Sequence, residues 1–458
     1  MATMDAASRG STPSGFRKII AGSMAGTIAE WYEFFIYGTA ASLVFGDLFF
    51  PGSDNPLDGV IAAFGTYAIG FVARPIGGLV FGHYGDRYGR KRLLQISLLL
   101  VGVSTFLMGC LPGFDAWGYL APIALVTLRF VQGFAVGGEW GGAVLLVSEH
   151  SPDHRRGTWA AFPQAAVPLG NLLATIVLLA LNAAMSEQAF LAWGWRIAFW
   201  LSAVIIIVGY YVRKNLEDAP LFVEALERQK EREEEQAGLK ELLSRHPKQV
   251  LAGMAARLGD NTLYYLIATF TITYLTVSKN MSTQTVLLLM FIGNAFQTCF
   301  MIVAGYLSDR IGRRRTYLLG GVIGLVWAVG YFFALETVNF WVILAAIVAG
   351  LGVHAMLYAP LGAMLSEMFP TRVRYTGASF CYQVTSIFAG SLAPIIAAVL
   401  LSHFDSTVPI TIYIVVILAV STTTIFAAYK ETSGTSLRAI DEADLAARQE
   451  TVMAGAAR

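Results

Sequence analysis

Charge is what this sequence has least of. Asp, Glu, Lys and Arg make up 14% of its 458 residues, against about 25% in a soluble globular domain, so the composition excludes an ordinary water-facing surface. Cysteine is nearly absent as well. Cys110, Cys299 and Cys381 fall in or at the ends of apolar runs at no metal-ligand spacing, which excludes a disulfide framework and a zinc site. No nucleophile–base pairing and no phosphate-binding glycine loop stands out, so an enzyme is not expected. A net charge of +1 with no basic stripe outside the loops gives nucleic acid nothing to bind. No appended soluble domain offers a sensor an output, and no cofactor is expected.

What is present is apolar length. The chain is 56% hydrophobic, with a mean hydropathy of +0.59, and a helix of ~20 apolar residues crosses a ~30 Å hydrocarbon layer. About twelve such runs lie near 19–46, 60–82, 93–112, 118–147, 158–182, 195–212, 250–277, 285–307, 316–335, 340–366, 375–402 and 409–429. Their apolar character is continuous rather than alternating, which predicts an all-α polytopic membrane protein instead of a barrel. The first run contains Glu30 and Glu33 and is too long for a signal peptide, so it is read as a retained span. Of the 32 Lys and Arg, 27 fall on the loop side of the N-terminus, one (Lys279) on the other side, and Arg74, Arg129, Arg196 and Arg257 inside the runs. That asymmetry predicts cytoplasmic termini and an even number of spans.

The chain repeats itself. "FGHYGDRYGRKR" from Phe81 returns as "AGYLSDRIGRRR" from Ala304, pairing Gly82 with Gly305, Asp86 with Asp309, Arg87 with Arg310, Gly89 with Gly312 and Arg90 with Arg313 at an offset of 223. "SEHSP" at Ser148 returns as "SEMFP" at Ser366, pairing Glu149 with Glu367 at an offset of 218. A mixed-charge stretch separates the copies. The predicted organisation is a tail (1–16), a six-helix bundle (17–212), a partly helical linker (213–249), a second six-helix bundle (250–429) and a C-terminal tail (430–458). Two such bundles are the arrangement of secondary transporters, which rock about a site at the bilayer midplane.

In each charged loop an Asp and an Arg stand four residues apart, able to reach each other and neighbouring helix ends. Asp86, Arg90 and Glu149 are expected to form one cluster, and Asp309, Arg313 and Glu367 its twin, each latching a gate. Arg87 and Arg310 belong to the same motif, though a pure topology signal accounts for Arg87 as well.

The pattern G-x-x-x-D-R-x-G-R-[RK] resembles the loop signature of the major facilitator superfamily. "ARPIGGLVFGHYGDRYGRK", "EWYEFFIYG", "LRFVQGFAVGGEWGGA", "GWR", "LEDAPLF" and "FPTRVRYTGAS", which carries Arg374, are similar to its metabolite:proton symporter branch over roughly residues 17–430. The resemblance implies proton-driven carriage of shikimate, α-ketoglutarate, citrate and other carboxylates, or of proline and betaine, with protons as the coupling ion. It also places Arg374 among the gate residues. Glu33 stands where that branch usually has Asp.

An ionisable residue at mid-bilayer costs on the order of 2.5–3.5 kcal/mol, so each is a functional candidate. Glu30, Glu33 and Tyr37 share a face of the first run, with Tyr32 beside them. Arg129 and Gln132 share a face of the fourth, and Glu139 follows seven residues after Gln132. "R-F-V-Q-G" resembles the superfamily's proton-linked arginine motif, so Glu33 with Arg129 is the expected coupling pair, with Glu30 and Glu139 as rivals; a permanent structural ion pair is the competing reading. Arg74 and Arg257 are the other deep cations. If Asp260 neutralises Arg257, then Arg74 or Arg129 is the better clamp for a carboxylate. Gln164, Asn261, Tyr265, His354, Tyr358, Tyr382 and Gln383 are further candidates to line the substrate cavity.

The reading that follows is a monomeric proton-coupled symporter for a small organic acid: shikimate-like, a dicarboxylate or an aromatic carboxylate. A proline or betaine carrier is the alternative, and a non-transporting receptor a more distant one. Residues 430–458 show no sustained heptad, which argues against an osmosensing coiled coil.

Overall fold

The computed structural model describes residues 14–52, 55–88, 90–137, 140–217 and 239–456, with some side chains, chiefly those of 81–95 and 140–143, outside the description. Among the described residues every regular element is helical. The N-terminal half comprises α1 (Ser14–Leu43), α2 (Pro56–Tyr88), α3 (Arg90–Cys110), α4 (Leu120–Val136) continued by α5 (Trp140–His150), α6 (Arg156–Ala184) and α7 (Trp195–Glu217). The C-terminal half comprises α8 (Pro247–Tyr265), α9 (Thr283–Ile311), α10 (Arg313–Glu336), α11 (Phe340–Tyr358) continued by α12 (Leu361–Met368), α13 (Thr371–Ser386) continued by α14 (Leu392–Phe404), and α15 (Val408–Ala428). A last helix, α16 (Leu437–Ala456), follows.

Among the described residues, eight stretches are long and apolar enough to span a membrane. The crossings that complete the set of twelve are α1, α3, α4 and α8. Three of those four carry buried charges that lower their hydropathy: Glu30 and Glu33 on α1, Arg129 on α4, and Arg257 with Asp260 on α8.

Local sequence sets the helix ends. Ser282 accepts from Thr285 N at 3.3 Å and starts α9, and Asn339 accepts from Trp341 N and Val342 N to start α11, each satisfying orphan donors of a first turn. Gly312 joins α9 to α10 at φ +101°, where a side chain would also strike the Glu431 carboxylate. The hydrophobic pattern gives the first span as 19–46, whereas α1 begins at Ser14, because a helix continues past the end of its apolar stretch.

Close crossings rest on glycine. A Cβ on Gly77 would overlap the Phe134 carbonyl, one on Gly133 the Gly70 carbonyl, and one on Gly137 the Arg74 carbonyl. Thus α2 and α4 meet backbone to backbone, the small-residue packing that serves where lipid removes the hydrophobic drive. A Cβ on Gly70 would lie 2.6 Å from Arg129 Nε, so that glycine also makes room for the guanidinium. Between the halves, α6 lies against α9 with Gly157 and Gly305 at their contact.

Candidate functional site

The two halves touch at both ends. On the basic face, Asp309 of α9 accepts from Gly157 N at 2.8 Å, Thr158 N at 2.7 Å and Thr158 Oγ1 at 2.5 Å, placing a carboxylate on the N-terminus of α6, where unpaired amides and the helix dipole favour it. Arg313 holds that carboxylate at 2.6 Å and reaches Glu367 at 3.3 Å, so Asp309, Arg313 and Glu367 do meet. On the opposite face Asn55 Nδ2 donates to Ser402 Oγ, and Thr283 N donates to Glu187 Oε1.

The expected first cluster falls on Asp86 and Arg90, which with Gly82, Arg87 and Gly89 lie outside the residues described with side chains. Its third member, Glu149, pairs with Arg374 of the other half at 3.3 Å. Arg156 was not singled out in the sequence, yet its Nη1 lies 2.9 Å from Glu367 across the halves. The pairs Glu149–Arg374 and Glu367–Arg156 are related by the same 218-residue offset as the two Ser-Glu motifs. Each arginine also bonds the serine carbonyl before its counterpart glutamate: Arg156 Nε to Ser148 O and Arg374 Nε to Ser366 O. Carrying the offset through to Arg374 would have found Arg156. Arg310 stands apart, its guanidinium 4.7 Å from the Tyr306 ring.

The C-terminal segment is built into this network. Thr432 Oγ1 donates to Glu367 at 2.6 Å, the Glu431 carboxylate accepts from Arg313 N and Arg314 N, and Asp441 of α16 accepts from Thr371 N and Thr371 Oγ1.

Between the closed ends lies a cavity of about 10 Å³, lined by Thr27, Glu30, Trp31, Arg74, Val136, Tyr382 and Gln383, room for a single water. Arg74 is 3% exposed and lies over the rings of Phe34 (4.3 Å), Phe71 (5.0 Å) and Trp31 (5.3 Å). Among the described residues no carboxylate is within ion-pair distance of it.

Glu33 and Arg129 do not pair. Arg129 lies over Tyr37, Phe34 and Tyr67 at 4.2–4.8 Å and donates to Gln132 Oε1. Neither oxygen of the fully buried Glu33 has a hydrogen-bond partner among the described residues. The neighbouring Thr105 hydroxyl also bonds Val101 O and accepts from Gln132 Nε2. Helical periodicity put Glu33 and Tyr37 on one face but could not say which helix that face meets. Glu139 lies outside the described residues.

Three candidates turn from the cavity into the N-terminal bundle. The Tyr32 hydroxyl donates to Ala198 O of α7, Tyr37 bonds Thr66 Oγ1, and Gln132 is held by Arg129 and Thr105. The others gather at the seam. Gln164 donates to Tyr358 O and Gln383 to Gly137 O, both across the halves, and the Tyr265 ring lies among Phe34, Tyr67 and Phe71. Gly390 of the π-helical turn after α13 closes on Asn261. Arg257 pairs with Asp260 and rests 3.9 Å from the Tyr382 ring, with Tyr358 beyond, so its charge is matched, whereas among the described residues no carboxylate pairs with Arg74. Trp31, Phe34, Tyr67 and Phe71 escaped sequence reading because aromatics in an apolar run look like core.

Two bundles related by repeats, latched at one face around a small polar cavity, match one family model, the Major Facilitator Superfamily, over residues 24–334 and 250–447. The chain belongs to that superfamily. It is therefore a multi-pass membrane transporter and not an enzyme. It is 39% identical to an inner membrane metabolite transport protein of Escherichia coli K12 over 86% of this chain and 90% of the relative. It is 38% identical to the shikimate transporter of that strain over 85% and 88%, and 33% identical to its proline/betaine transporter over 88% and 81%. In fold it is similar to the proton:xylose symporter XylE bound to a halogenated glucose, with a TM-score of 0.71 at 15% identity, covering 94% of this chain and 99% of that one.

Proposed function

We propose that this transporter is a proton-coupled importer of a small organic carboxylate, with its basic face and both termini in the cytoplasm. The observation that carries the substrate class is Arg74: a buried guanidinium on the cavity, matched by aromatic faces and by no carboxylate among the described residues. A fork of donors with no anionic partner is the natural clamp for a carboxylate. The 38% identity with a shikimate transporter supports the same class. Glu33 is the proposed coupling carboxylate, since a carboxyl with no donor is buried far more cheaply as the neutral acid, and Glu30 sits on the cavity as its neighbour one helical turn away. A zwitterion such as proline or betaine is the second reading, because Glu30 and Trp31 line the same cavity and give an ammonium both a countercharge and an aromatic face.

The test is uptake by proteoliposomes carrying an internal pH reporter, over shikimate, α-ketoglutarate, citrate, aromatic acids, proline and betaine. Lumen acidification on addition of one carboxylate is the expected result. A response confined to proline or betaine moves the protein to the zwitterion reading, and transport without proton movement removes the coupling. Arg74→Gln should raise KM for the carboxylate about 10- to 100-fold, the loss of a charge-assisted pair of hydrogen bonds; an unchanged KM would place the clamp elsewhere.

A further inference from the structure

The C-terminal bundle holds a second set of ionisable groups that the Arg74 and Glu33 reading leaves unused. Asp260 of α8 is fully buried and His354 of α11 is 2% exposed. Asp260 Oδ2 pairs with Arg257 and faces His354 Nε2 at 3.8 Å, whereas Oδ1 has no hydrogen-bond partner among the described residues. His354 Nδ1 lies 2.7 Å from Gln297 Nε2 of α9. An amide nitrogen only donates, so Nδ1 accepts, and the neutral imidazole carries its proton on Nε2, toward Asp260. Its ring is stacked between Tyr264 and Tyr358, which keeps that orientation. The site as it stands is neutral: one guanidinium, one carboxylate and an uncharged imidazole.

From this geometry we propose that Asp260 is a second proton-carrying carboxylate of the transport cycle, with His354 as the group that hands it the proton and Arg257 as the group that reports its charge to the cavity. The inference rests on the proton-coupled reading above. His354 passes its Nε2 proton to the facing Asp260 Oδ2 as it takes another at Nδ1, where the Gln297 amide can turn its unpartnered Oε1 to accept, and the neutral acid so formed leaves Arg257 without a countercharge. Arg257 lies against Tyr382, which lines the cavity beside Arg74, so the freed positive charge stands on the substrate side. A carboxylate arriving there restores neutrality: one proton and one anion enter, and the net charge of the site is unchanged. Each therefore favours the binding of the other by the same factor. The other ionisable groups around Asp260 are Tyr317 of α10, Tyr358 of α11 and Tyr382 of α13. Tyr317 is committed to Ala256 O and Ser421 Oγ, and Tyr358 and Tyr382 bond each other, leaving His354 as the group placed to exchange a proton.

The experiment measures the proton-to-substrate ratio in proteoliposomes, using the panel carboxylate that gives the largest acidification with the wild type. Asp260→Asn and His354→Gln should each lower the ratio by about one and, with a pH difference of one unit, cut the limiting accumulation about tenfold, while counterflow exchange persists. Asp260→Glu should restore the ratio. Because Asp260→Asn leaves Arg257 unpaired, the double change Arg257→Gln with Asp260→Asn, which keeps the site neutral, should show the same lowered ratio in a stably folded protein. An unaltered ratio and pH profile in the folded double variant and in His354→Gln would overturn the inference while leaving proton coupling intact. A wild type that moves no protons with any carboxylate would remove the underlying reading, and this inference with it.

Discussion

Glu33 and Asp260 show two ways a membrane protein can hold a carboxyl group away from water. Asp260 is matched by a guanidinium. Glu33 has no donor at either oxygen among the described residues and so fits its pocket as the neutral acid. Glu33→Gln keeps that shape and neutrality and removes only the exchangeable proton. It should leave folding and counterflow near wild type while abolishing accumulation driven by a pH gradient. Gradient-driven uptake that survives intact would mean another carboxyl does the coupling. Asp260→Asn is different in kind, because the buried Arg257 loses its countercharge; breaking a buried pair costs about 3–5 kcal/mol. Of the two single variants, Asp260→Asn should show the larger loss of thermal stability in detergent.

At the scale of elements, helix number and pairing of halves were legible in the sequence because both are carried by local pattern: apolar length for the spans, and a repeated Asp-Arg loop and Ser-Glu motif for the halves. Partners were not. Periodicity gave Glu33 and Arg129 suitable faces, but the pairing of faces depends on helix rotation, which the glycines of the α2–α4 crossing help to set. Gly133→Ala drives a methyl into the Gly70 carbonyl, and overpacking of this kind costs about 1–3 kcal/mol or more, so it should lower thermal stability and displace Arg129 together. The docking of α16 was also hidden, since its contacts are scattered polar groups. Arg448 pairs with Glu241 at 2.6 Å, and His246 Nε2 lies 3.7 Å from Asp444. Burial holds His246 below its usual pKa despite the pull of Asp444 and Glu241, with Arg245 and Arg448 acting in the same direction as burial. The undocked histidine, near 6.5, then binds more protons than the docked one, so docking is strongest above about pH 6.5 and weakens as the pH falls below it. Hydrogen exchange in α16 should therefore speed up on acidification through that range, and His246→Gln should flatten the dependence.

For the whole molecule, the question is which interactions hold the basic face shut. Among the described residues two symmetry-related pairs cross it, and they are unequal: Arg156–Glu367 is 2.9 Å long with side chains 1% and 0% exposed, whereas Arg374–Glu149 is 3.3 Å with Glu149 17% exposed. Solvent screens the second pair more, and exposed pairs contribute about 0–1 kcal/mol. Glu367 is also the junction of Arg156, Arg313 and Thr432, so its removal takes one of two carboxylates from each of two buried guanidinium groups, leaving Arg156 with Asp153 and Arg313 with Asp309. If that costs the closed state about 3 kcal/mol, the equilibrium moves about 150-fold toward conformations open at this face. Glu367→Gln should then raise the accessibility of a cysteine placed at the α6–α9 contact to a membrane-impermeant reagent added from the basic side. Glu149→Gln should do so far less. A double-mutant cycle over Arg156 and Glu367 separates the pair from the rest of the junction. Equal effects of the two glutamate changes would mean that the latch lies in Asp309 at the N-terminus of α6, and Asp309→Asn, which keeps an acceptor there but removes the charge, would then become the variant that opens the face.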